Sequence, residues 1–577
     1  MLVVVLTRWG SDYLPVQDSA VMDLRVRDVW SSDIPLTGAY SRYGWSHPGP
    51  LMYWLIAPFS LLFGKAAWAT LVGAAVLQGI AIVWTARLAW RHGGLPVLAL
   101  WLGIGTLAYT ALSSSAWLEP WNPHLAFPFF TLFLLQSWLA WRGDARRLVG
   151  AVVVGSFVVQ THVGYAALVA LVLVGAVVML AVDTHRAQQR LRDLPAVRWS
   201  FLALVVLWLP VLVEPVVRSP GNLGEVARFF LNGGTDESAV GLFDALGLLA
   251  AEFRLPPPWL GGTDSVHPVT DAAEPTGVLW LIVPLAAVGA AMAAAWKRND
   301  HTRIRAVALV IVVLVGAVAT LSRIAGEPYP YLFHWRVVVA AFTVLLCAWT
   351  VVEVLGLETH RVVRGAWSGA LATLVVAGSI GTTKDLVDHP SEVTPFETVT
   401  GEFVDELAGR GEPRGPTLVR FVGSALGGVH AGLVDELDRR GAPVYVDDGA
   451  PYAFGRERTA VPDGVDRLWY VVEDGHALSL LTDRPNAEVL VRTSPLSESQ
   501  EIELVELQRR VVRQLRASGN ESRIEVLSTT RVADTLAGLP GVELGDLRRI
   551  DALNAEVLAR GTCRCAVISF PVTSPPQ

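Results

Sequence analysis

Two carboxylates in the stretch DSAVMDLRVRDVW, residues 18–30, are the first side chains of this sequence whose types and spacing suggest chemistry. The stretch has helical periodicity. Asp18 stands at its start and has no basic residue three or four positions later, so it is either the N-cap of the helix or a catalytic carboxylate. Asp23 has Arg27 four residues later, and an ion pair is its simpler interpretation.

Aromatic and cationic side chains follow in YSRYGWSHPGP, residues 40–50, and again in FHWR, residues 333–336. The two prolines of the first segment restrict its backbone, and its two glycines allow close approach of other groups. The alternative to a binding role is that the first segment is a rigid interfacial turn. Its arginine would then reach lipid headgroups, and its aromatic residues would belong to an interfacial belt. The candidates for contact with a bound molecule are Arg42, Trp45, His47, His334 and Arg336.

Long apolar stretches place these residues in a membrane protein. The chain has 577 residues, of which 52% are hydrophobic and 17% charged, whereas soluble domains are about 25% charged. The N-terminal MLVVVL is too short for a signal peptide and is interpreted as the end of a first membrane helix. Residues 49–64, interrupted by Pro58, predict an interfacial or re-entrant helix. With the N-terminal stub, the predicted spans number about eleven: 66–89, 95–113, 124–141, 147–161, 163–182, 199–217, 276–296, 304–322, 333–355 and 366–383.

Arginine-rich loops alternate with arginine-poor ones along the whole series of spans. The positive-inside rule places the basic loops in the cytoplasm and the others outside. The outer side then receives the first loop 8–50, the long loop 218–275 with Glu252, and everything after about residue 384. The spans contain almost no ionisable residues at mid-depth, which disfavours an ion or proton relay.

The last part of the chain, residues 384–577, is acidic and contains no stretch long enough to span a membrane. Apolar and polar residues alternate, as in β-strands, in PTLVRFVG and APVYVDD. Helical periodicity is found in HAGLVDELDRR and QEIELVELQRRVVRQLRAS. We therefore predict a membrane domain over 1–383 and an extracytoplasmic α/β domain over 384–577. VDDG, 446–449, is interpreted as a turn. The cysteines of CRC, 563–565, are assigned no role, and a close disulfide between them is the alternative.

In this topology the chain resembles the GT-C superfamily of integral-membrane glycosyltransferases. An acid at the start of a juxtamembrane helix in the first loop, about eleven spans and a C-terminal α/β domain carry the resemblance. The pair Asp18-x4-Asp23 is similar to the paired acids in the first loop of mannosyl-, arabinosyl- and aminoarabinosyltransferases of that class. No motif resembles the WWD sequence of oligosaccharyltransferases, which disfavours transfer of a whole glycan.

The resemblance implies an inverting transferase that uses a polyprenyl-phosphate sugar. It implies Asp18 as the general base, with Asp23 as the second choice, and a sugar acceptor that is an envelope glycan or lipid. Arg42, His47, His334 and Arg336 then become candidates for the donor phosphate, and Trp45 for stacking on a sugar. The expected partners are therefore the donor, the acceptor and the bilayer, and no nucleic acid.

No cofactor is expected. The sequence contains no loop with a known spacing of metal ligands, and a divalent metal ion is kept as an alternative. A transporter or flippase of a lipid-linked precursor is the main alternative function. It predicts charged or broken helices at mid-membrane and inverted repeats, and neither is evident. A scaffold whose tail binds a partner is the third reading, and it leaves the outer-side acids, arginines and histidines unexplained.

Overall fold

The protein consists of two compact units in a computed structural model. The first contains Met1–Ser11 and Ile34–Pro390, and the second contains Asp12–Asp33 and Ser391–Gln577. The structure describes residues 9–41, 43–112, 120–218, 221–231, 239–260, 272–356, 361–388, 395–423, 428–446, 451–473, 475–482, 484–529, 531–560 and 563–572.

Helices build the first unit. Helix α1 (Gln17–Asp28) precedes them in the chain but belongs to the second unit. The helices of the first unit are α2 (Leu51–Leu62), α3 (Trp68–Thr110), α4 (Asn122–Trp141), α5 (Arg146–Thr161), α6 (Ala166–Arg186), α7 (Pro195–Val217), α8 (Asn222–Leu231), α9 (Gly241–Ala250), α10 (Ile282–Lys297), α11 (His301–Leu321), α12 (Trp335–Val354) and α13 (Arg361–Asp388).

Seven helices in the described part of the chain are long and apolar enough to cross a membrane. One of them, α3, contains the non-helical residues Gly93 and Gly94, with Gly94 at a φ of 62°. Glycine tolerates that angle, so α3 breaks where the sequence separates the spans 66–89 and 95–113. Every predicted span that begins after residue 60 overlaps an observed helix, and the protein is a polytopic helical membrane protein. The count of eleven spans is not confirmed, and the N-terminal stub 1–8 lies outside the described residues.

The second unit contains a five-stranded sheet with the order β2-β1-β3-β5-β4, made of β1 (Thr417–Val422), β2 (Val444–Val446), β3 (Arg467–Val472), β4 (Glu488–Thr493) and β5 (Cys565–Pro571), with helix α15 (Val429–Arg439) between β1 and β2 in the chain. Strands β1 and β2 and strands β1 and β3 are parallel, whereas β5 is antiparallel to both β3 and β4. Parallel neighbours need a crossover, and α15 supplies it between β1 and β2. In chain order the elements are α14 (Pro395–Gly409), β1 (Thr417–Val422), α15 (Val429–Arg439), β2 (Val444–Val446), α16 (Pro451–Phe454), α17 (Arg456–Thr459), β3 (Arg467–Val472), α18 (Gly475–Thr482), β4 (Glu488–Thr493), α19 (Glu498–Ala517), α20 (Val532–Leu536), α21 (Leu544–Ala559) and β5 (Cys565–Pro571).

The predicted α/β character of the C-terminal region is confirmed. The two quoted alternating stretches contain β1 and β2, and the two periodic stretches cover most of α15 and α19. Cys563 and Cys565 form a disulfide, with their Cα atoms 5.3 Å apart. Residues 447–449 of the proposed turn VDDG lie outside the described residues.

The first loop is divided between the two units. Residues 12–33, which include α1, group with the C-terminal part of the chain, whereas residues 34–50 stay with the membrane helices. The sequence-based boundary assigns the whole loop to the membrane domain, because chain order gives no sign that a helix near the N-terminus packs with residues some 400 positions later.

Candidate functional site

The segment 38–47 of the first unit forms a small antiparallel hairpin that holds two candidate side chains. Tyr40 pairs with Ser46, and the backbone N–H of His47 donates to the carbonyl of Ala39 at 2.7 Å. Gly44 turns the chain with a φ of 78°. Trp45 and His47 are both buried, with their ring centroids 5.7 Å apart.

Side chains from three helices support this hairpin and the residues just after it. The Asn222 amide at the start of α8 accepts from the Ser46 N–H at 2.7 Å and donates to the Ser46 carbonyl at 2.9 Å. The Asn222 N–H in turn donates to the buried Glu214 carboxylate of α7 at 2.9 Å. A Cβ on Gly49 would lie 2.1 Å from Gln160 Oε1, so only glycine fits against α5 there. Gly49 thus permits the close approach expected of it, whereas Asn222 and Gln160 have no role in the sequence-based prediction.

His47 forms a pair with His162, which follows the end of α5. Their ring centroids are 4.6 Å apart, and His47 Nδ1 accepts the N–H of Val163 at 3.1 Å. His162 Nδ1 accepts the N–H of Gly164 at 3.2 Å. Burial and the neighbouring His162 hold the pKa of His47 well below its usual range, and burial lowers the pKa of His162 to about 4. Both imidazoles are therefore neutral at pH 7, with the proton on Nε2.

A second histidine pair, His124 and His334, stacks with ring centroids 5.6 Å apart. His124 is in the first turn of α4, and His334 directly precedes α12. His162 interacts electrostatically with both His47 and His334. The four histidines thus come from four separate chain segments of the first unit, and two of the predicted candidates, His47 and His334, belong to one cluster.

Arg336, in the first turn of α12, forms a buried ion pair with Glu252. Its Nε lies 2.5 Å from Glu252 Oε1, and its guanidinium is 4.8 Å from the centroid of the Phe333 ring. Burial raises the pKa of the Glu252 carboxyl, while Arg336 and Arg254 oppose that rise. A buried charge needs such a partner. Glu252 was expected only as one of several ionisable residues in the outer loops, because its partner is 84 positions away in the chain.

Buried polar atoms in this cluster lack partners among the described residues. They are Arg336 Nη1, Glu252 Oε2, His334 Nδ1 and Trp45 Nε1. Buried polar groups are nearly always bonded in folded proteins, so each such atom requires an explanation. A guanidinium nitrogen and an imidazole nitrogen close to one another can bind an oxyanion.

The two candidate carboxylates lie in the second unit on α1. Asp18 is in the first turn and partly exposed. The capping position of α1 is Val16, two residues before Asp18, so the structure does not place Asp18 at the N-cap. Asp23 is 1% exposed, and its Oδ2 accepts from Arg27 Nε at 3.0 Å and from Arg439 Nη2 at 2.9 Å. The predicted pairing of Asp23 with Arg27 is confirmed.

Arg42, the remaining candidate, lies outside the described residues. Metal binding finds no support in the described ranges, where no group of three or more histidine, cysteine, aspartate or glutamate side chains is arranged to hold an ion. Even the histidine cluster does not bring three such ligands together. The described side chains of this cluster can supply hydrogen bonds from neutral imidazoles and positive charge from Arg336.

Comparisons with known proteins identify the fold. No family profile and no curated protein sequence matches the chain. Two structures of ArnT from Cupriavidus metallidurans do match, at 16% identity over 85% of this chain. The structure bound to undecaprenyl phosphate has a TM-score of 0.50, and the match covers 95% of its chain. The apo structure has a TM-score of 0.51, and the match covers 94% of its chain. For the oligosaccharyltransferase of Archaeoglobus fulgidus, in complex with zinc and sulfate, the TM-score is 0.37 at 13% identity, covering 83% of this chain and 68% of that one.

The chain therefore shares its fold with these ArnT structures. The similarity to ArnT extends over nearly the whole of both chains, so it covers membrane helices and C-terminal region alike. This confirms the resemblance predicted from the first-loop acids, the series of spans and the α/β tail.

Proposed function

We propose that the protein is an inverting membrane glycosyltransferase that transfers a sugar from a polyprenyl-phosphate donor to a glycan or lipid acceptor of the cell envelope. The observation that carries the proposal is the fold shared with ArnT, which has been solved bound to undecaprenyl phosphate. That ligand is the lipid that remains after such a donor has lost its sugar. The buried arginine and histidines of the first unit supply groups that suit a phosphate.

Asp18 is the general base in this proposal. Its carboxylate removes the proton of the acceptor hydroxyl while the hydroxyl oxygen attacks the anomeric carbon from the face opposite the phosphate. The bond between the anomeric carbon and the phosphate oxygen breaks, and polyprenyl phosphate leaves with the electron pair. Asp23 is less suited to this step, because its carboxylate is buried and two arginines already bond its Oδ2.

Arg336 and the neighbouring histidines are assigned to the donor. The Nη1 of Arg336, which has no partner among the described residues, would bond a phosphate oxygen while Nε stays on Glu252. Neutral His47 and His334 would add hydrogen bonds as negative charge develops on the leaving phosphate. Trp45 would stack on the sugar, and Arg42 keeps its predicted role as a phosphate contact.

The reaction is proposed to occur on the outer face of the plasma membrane. The arginine-rich loops support this orientation. The disulfide between Cys563 and Cys565 supports it independently, because disulfides persist in oxidising compartments and are rare in the cytosol.

Membranes containing wild type, Asp18→Asn and Asp12→Asn, incubated with radiolabelled polyprenyl-phosphate sugars, test the proposal. We expect covalent transfer by wild type and by Asp12→Asn, whose exposed carboxylate lies in the same segment. Asp18→Asn should lower kcat by about 10²- to 10⁴-fold, the usual contribution of a positioned base. Undecaprenyl phosphate should still stabilise the variant as it does wild type.

Two results would contradict the proposal. If Asp18→Asn transfers sugar at the wild-type rate, Asp18 is not the base. If no donor yields a covalent product but labelled lipid crosses the membrane of reconstituted vesicles, the protein is a transporter of a lipid-linked precursor.

A further inference from the structure

The helix that carries Asp18 is bonded to C-terminal residues of its own unit through a buried network of arginines and carboxylates. Arg27 donates through Nη2 to Asp435 Oδ1 at 2.5 Å and through Nη1 to Asp438 Oδ2 at 2.7 Å. Arg439, on the same face of α15, donates to Asp23 at 2.9 Å. The middle of α1 is thus held by charge-assisted bonds in both directions, from α1 to α15 and from α15 to α1.

The end of α1 is held by a second set of bonds. Arg458 of α17 donates through Nη1 and Nη2 to the two oxygens of Asp28, both at 3.0 Å. Asp33, just beyond the helix, accepts the backbone N–H of Arg456 at 2.7 Å. A two-pronged contact between a guanidinium and a carboxylate fixes orientation as well as distance, so α1 cannot rotate or slide without breaking it.

The start of α1 meets α15 through a glycine. A Cβ built on Gly432 would lie 2.8 Å from the carbonyl oxygen of Pro15 and 3.0 Å from Val16 Cγ1. The backbone of α15 therefore approaches the chain within three residues of Asp18. A helix as short as α1 is marginal by itself in water, and its residues from Ala20 to Asp28 are buried in this unit.

We propose that the C-terminal α/β region positions the catalytic base. It fixes the place and rotation of α1 against α15 and α17 and so orients Asp18 toward the acceptor. The inference rests on the proposed function, in which Asp18 is that base. Gly432, Arg27 and Arg458 are positioning residues, because they act through α1. The close approach at Gly432 fixes the position of the first turn of α1, and the two arginines fix the orientation of the helix.

Two glycine-to-alanine variants separate positioning from folding. Gly432 lies within α15 and Gly401 within α14, and a Cβ on Gly401 would meet nothing within 4 Å. Alanine favours a helix over glycine at both sites. We expect Gly401→Ala to keep wild-type kcat. Gly432→Ala should lose up to about 10²-fold in kcat with the donor KM unchanged, because a displacement of about 1 Å is enough for such a loss.

A double variant then shows whether the loss passes through the base. If Gly432 acts by positioning Asp18, the double variant Gly432→Ala, Asp18→Asn should be no slower than Asp18→Asn alone. A general structural defect would instead multiply the two losses, and that result would overturn the inference, as would wild-type kcat in Gly432→Ala. Full activity of Asp18→Asn contradicts the proposed base itself, so the two failures are distinguishable.

A conservative arginine exchange provides the same test if Gly432→Ala does not fold. Arg458→Lys keeps the charge but cannot hold both oxygens of Asp28. Its control is Arg549→Lys, since the exposed Arg549 makes a similar two-pronged contact with Glu503, at 2.8 and 2.7 Å. We expect kcat to fall in Arg458→Lys and not in Arg549→Lys, and the double variant Arg458→Lys, Asp18→Asn should be no slower than Asp18→Asn alone. Equal kcat in the two lysine variants would overturn the inference.

Discussion

At the scale of single residues, burial separates the two acids that the sequence presents as alternatives. Asp23 is buried between Arg27 and Arg439, and a carboxylate in that position is stabilised by its arginines and shielded from a substrate. Asp18, in the first turn of the same helix, is partly exposed, as the proposed base must be. Arg336 is also buried and is paired with Glu252, but its Nη1 has no partner among the described residues.

Replacement of Arg336 by lysine tests the assignment to the donor phosphate. Lysine keeps the positive charge but lacks the fork that reaches Glu252 and a phosphate together. We expect Arg336→Lys to weaken binding of undecaprenyl phosphate by about tenfold, a loss of about 1.4 kcal/mol, measured by ligand-induced thermal stabilisation of the purified protein. Arg323→Lys, at an exposed arginine of the same unit, is the control. Unchanged affinity in Arg336→Lys would remove Arg336 from the phosphate site.

At the scale of elements, helix ends and close backbone contacts decide where side chains point. Asn222 at the start of α8 bonds both backbone groups of Ser46 and thereby holds the hairpin that presents His47. Glu473, just after β3, plays a similar part in the second unit: its Oε1 accepts the N–H groups of Val429 and His430 at 2.7 and 3.0 Å. These two donors are orphan groups at the start of α15.

The carboxyl of Glu473 makes the stability of this unit depend on pH. Burial raises its pKa to about 7 from an ordinary value of 4.5, against the opposing effect of the two backbone N–H groups. The folded state therefore holds a proton that the unfolded state has released. The free energy of unfolding falls by about 3 kcal/mol as pH rises from about 4.5 through 7.

Glu473→Gln should remove that part of the pH dependence. We expect thermal unfolding of the variant in detergent to change less between pH 5 and pH 8 than that of wild type. Glu498→Gln, at an exposed carboxylate of the same unit, should behave as wild type. Parallel curves for wild type and Glu473→Gln would show that Glu473 is already charged throughout this range.

At the scale of the whole molecule, the chain combines a membrane unit with an α/β unit that also takes α1 from the first loop.

Single cysteines test the proposed orientation in a Cys347→Ser background, which retains the Cys563–Cys565 disulfide. A membrane-impermeant maleimide should label Ser499→Cys of α19 in intact cells. It should label Gln189→Cys, in the arginine-rich loop before α7, only after lysis. Both positions are exposed, so the reverse pattern would invert the topology.

The sequence by itself determined the features that arise from interactions within a few residues. Apolar length predicted the membrane helices because about 20 apolar residues in a row are costly in water and span a bilayer. Glycines broke α3 where its two predicted spans separate, because they tolerate non-helical backbone angles. Helical spacing likewise predicted the bond between Asp23 and Arg27, which are one turn apart.

Only the tertiary structure decided which distant segments share a site. The pairing of Arg336 with Glu252, the histidine cluster and the bonding of α1 to residues 435–458 join segments up to 430 positions apart. Such contacts depend on how helices and strands pack, and the sequence near either partner does not encode the other's position. For this reason the sequence could single out Arg336 and the histidines as candidates, but it could not identify the carboxylate that bonds Arg336 or the helix that bonds α1.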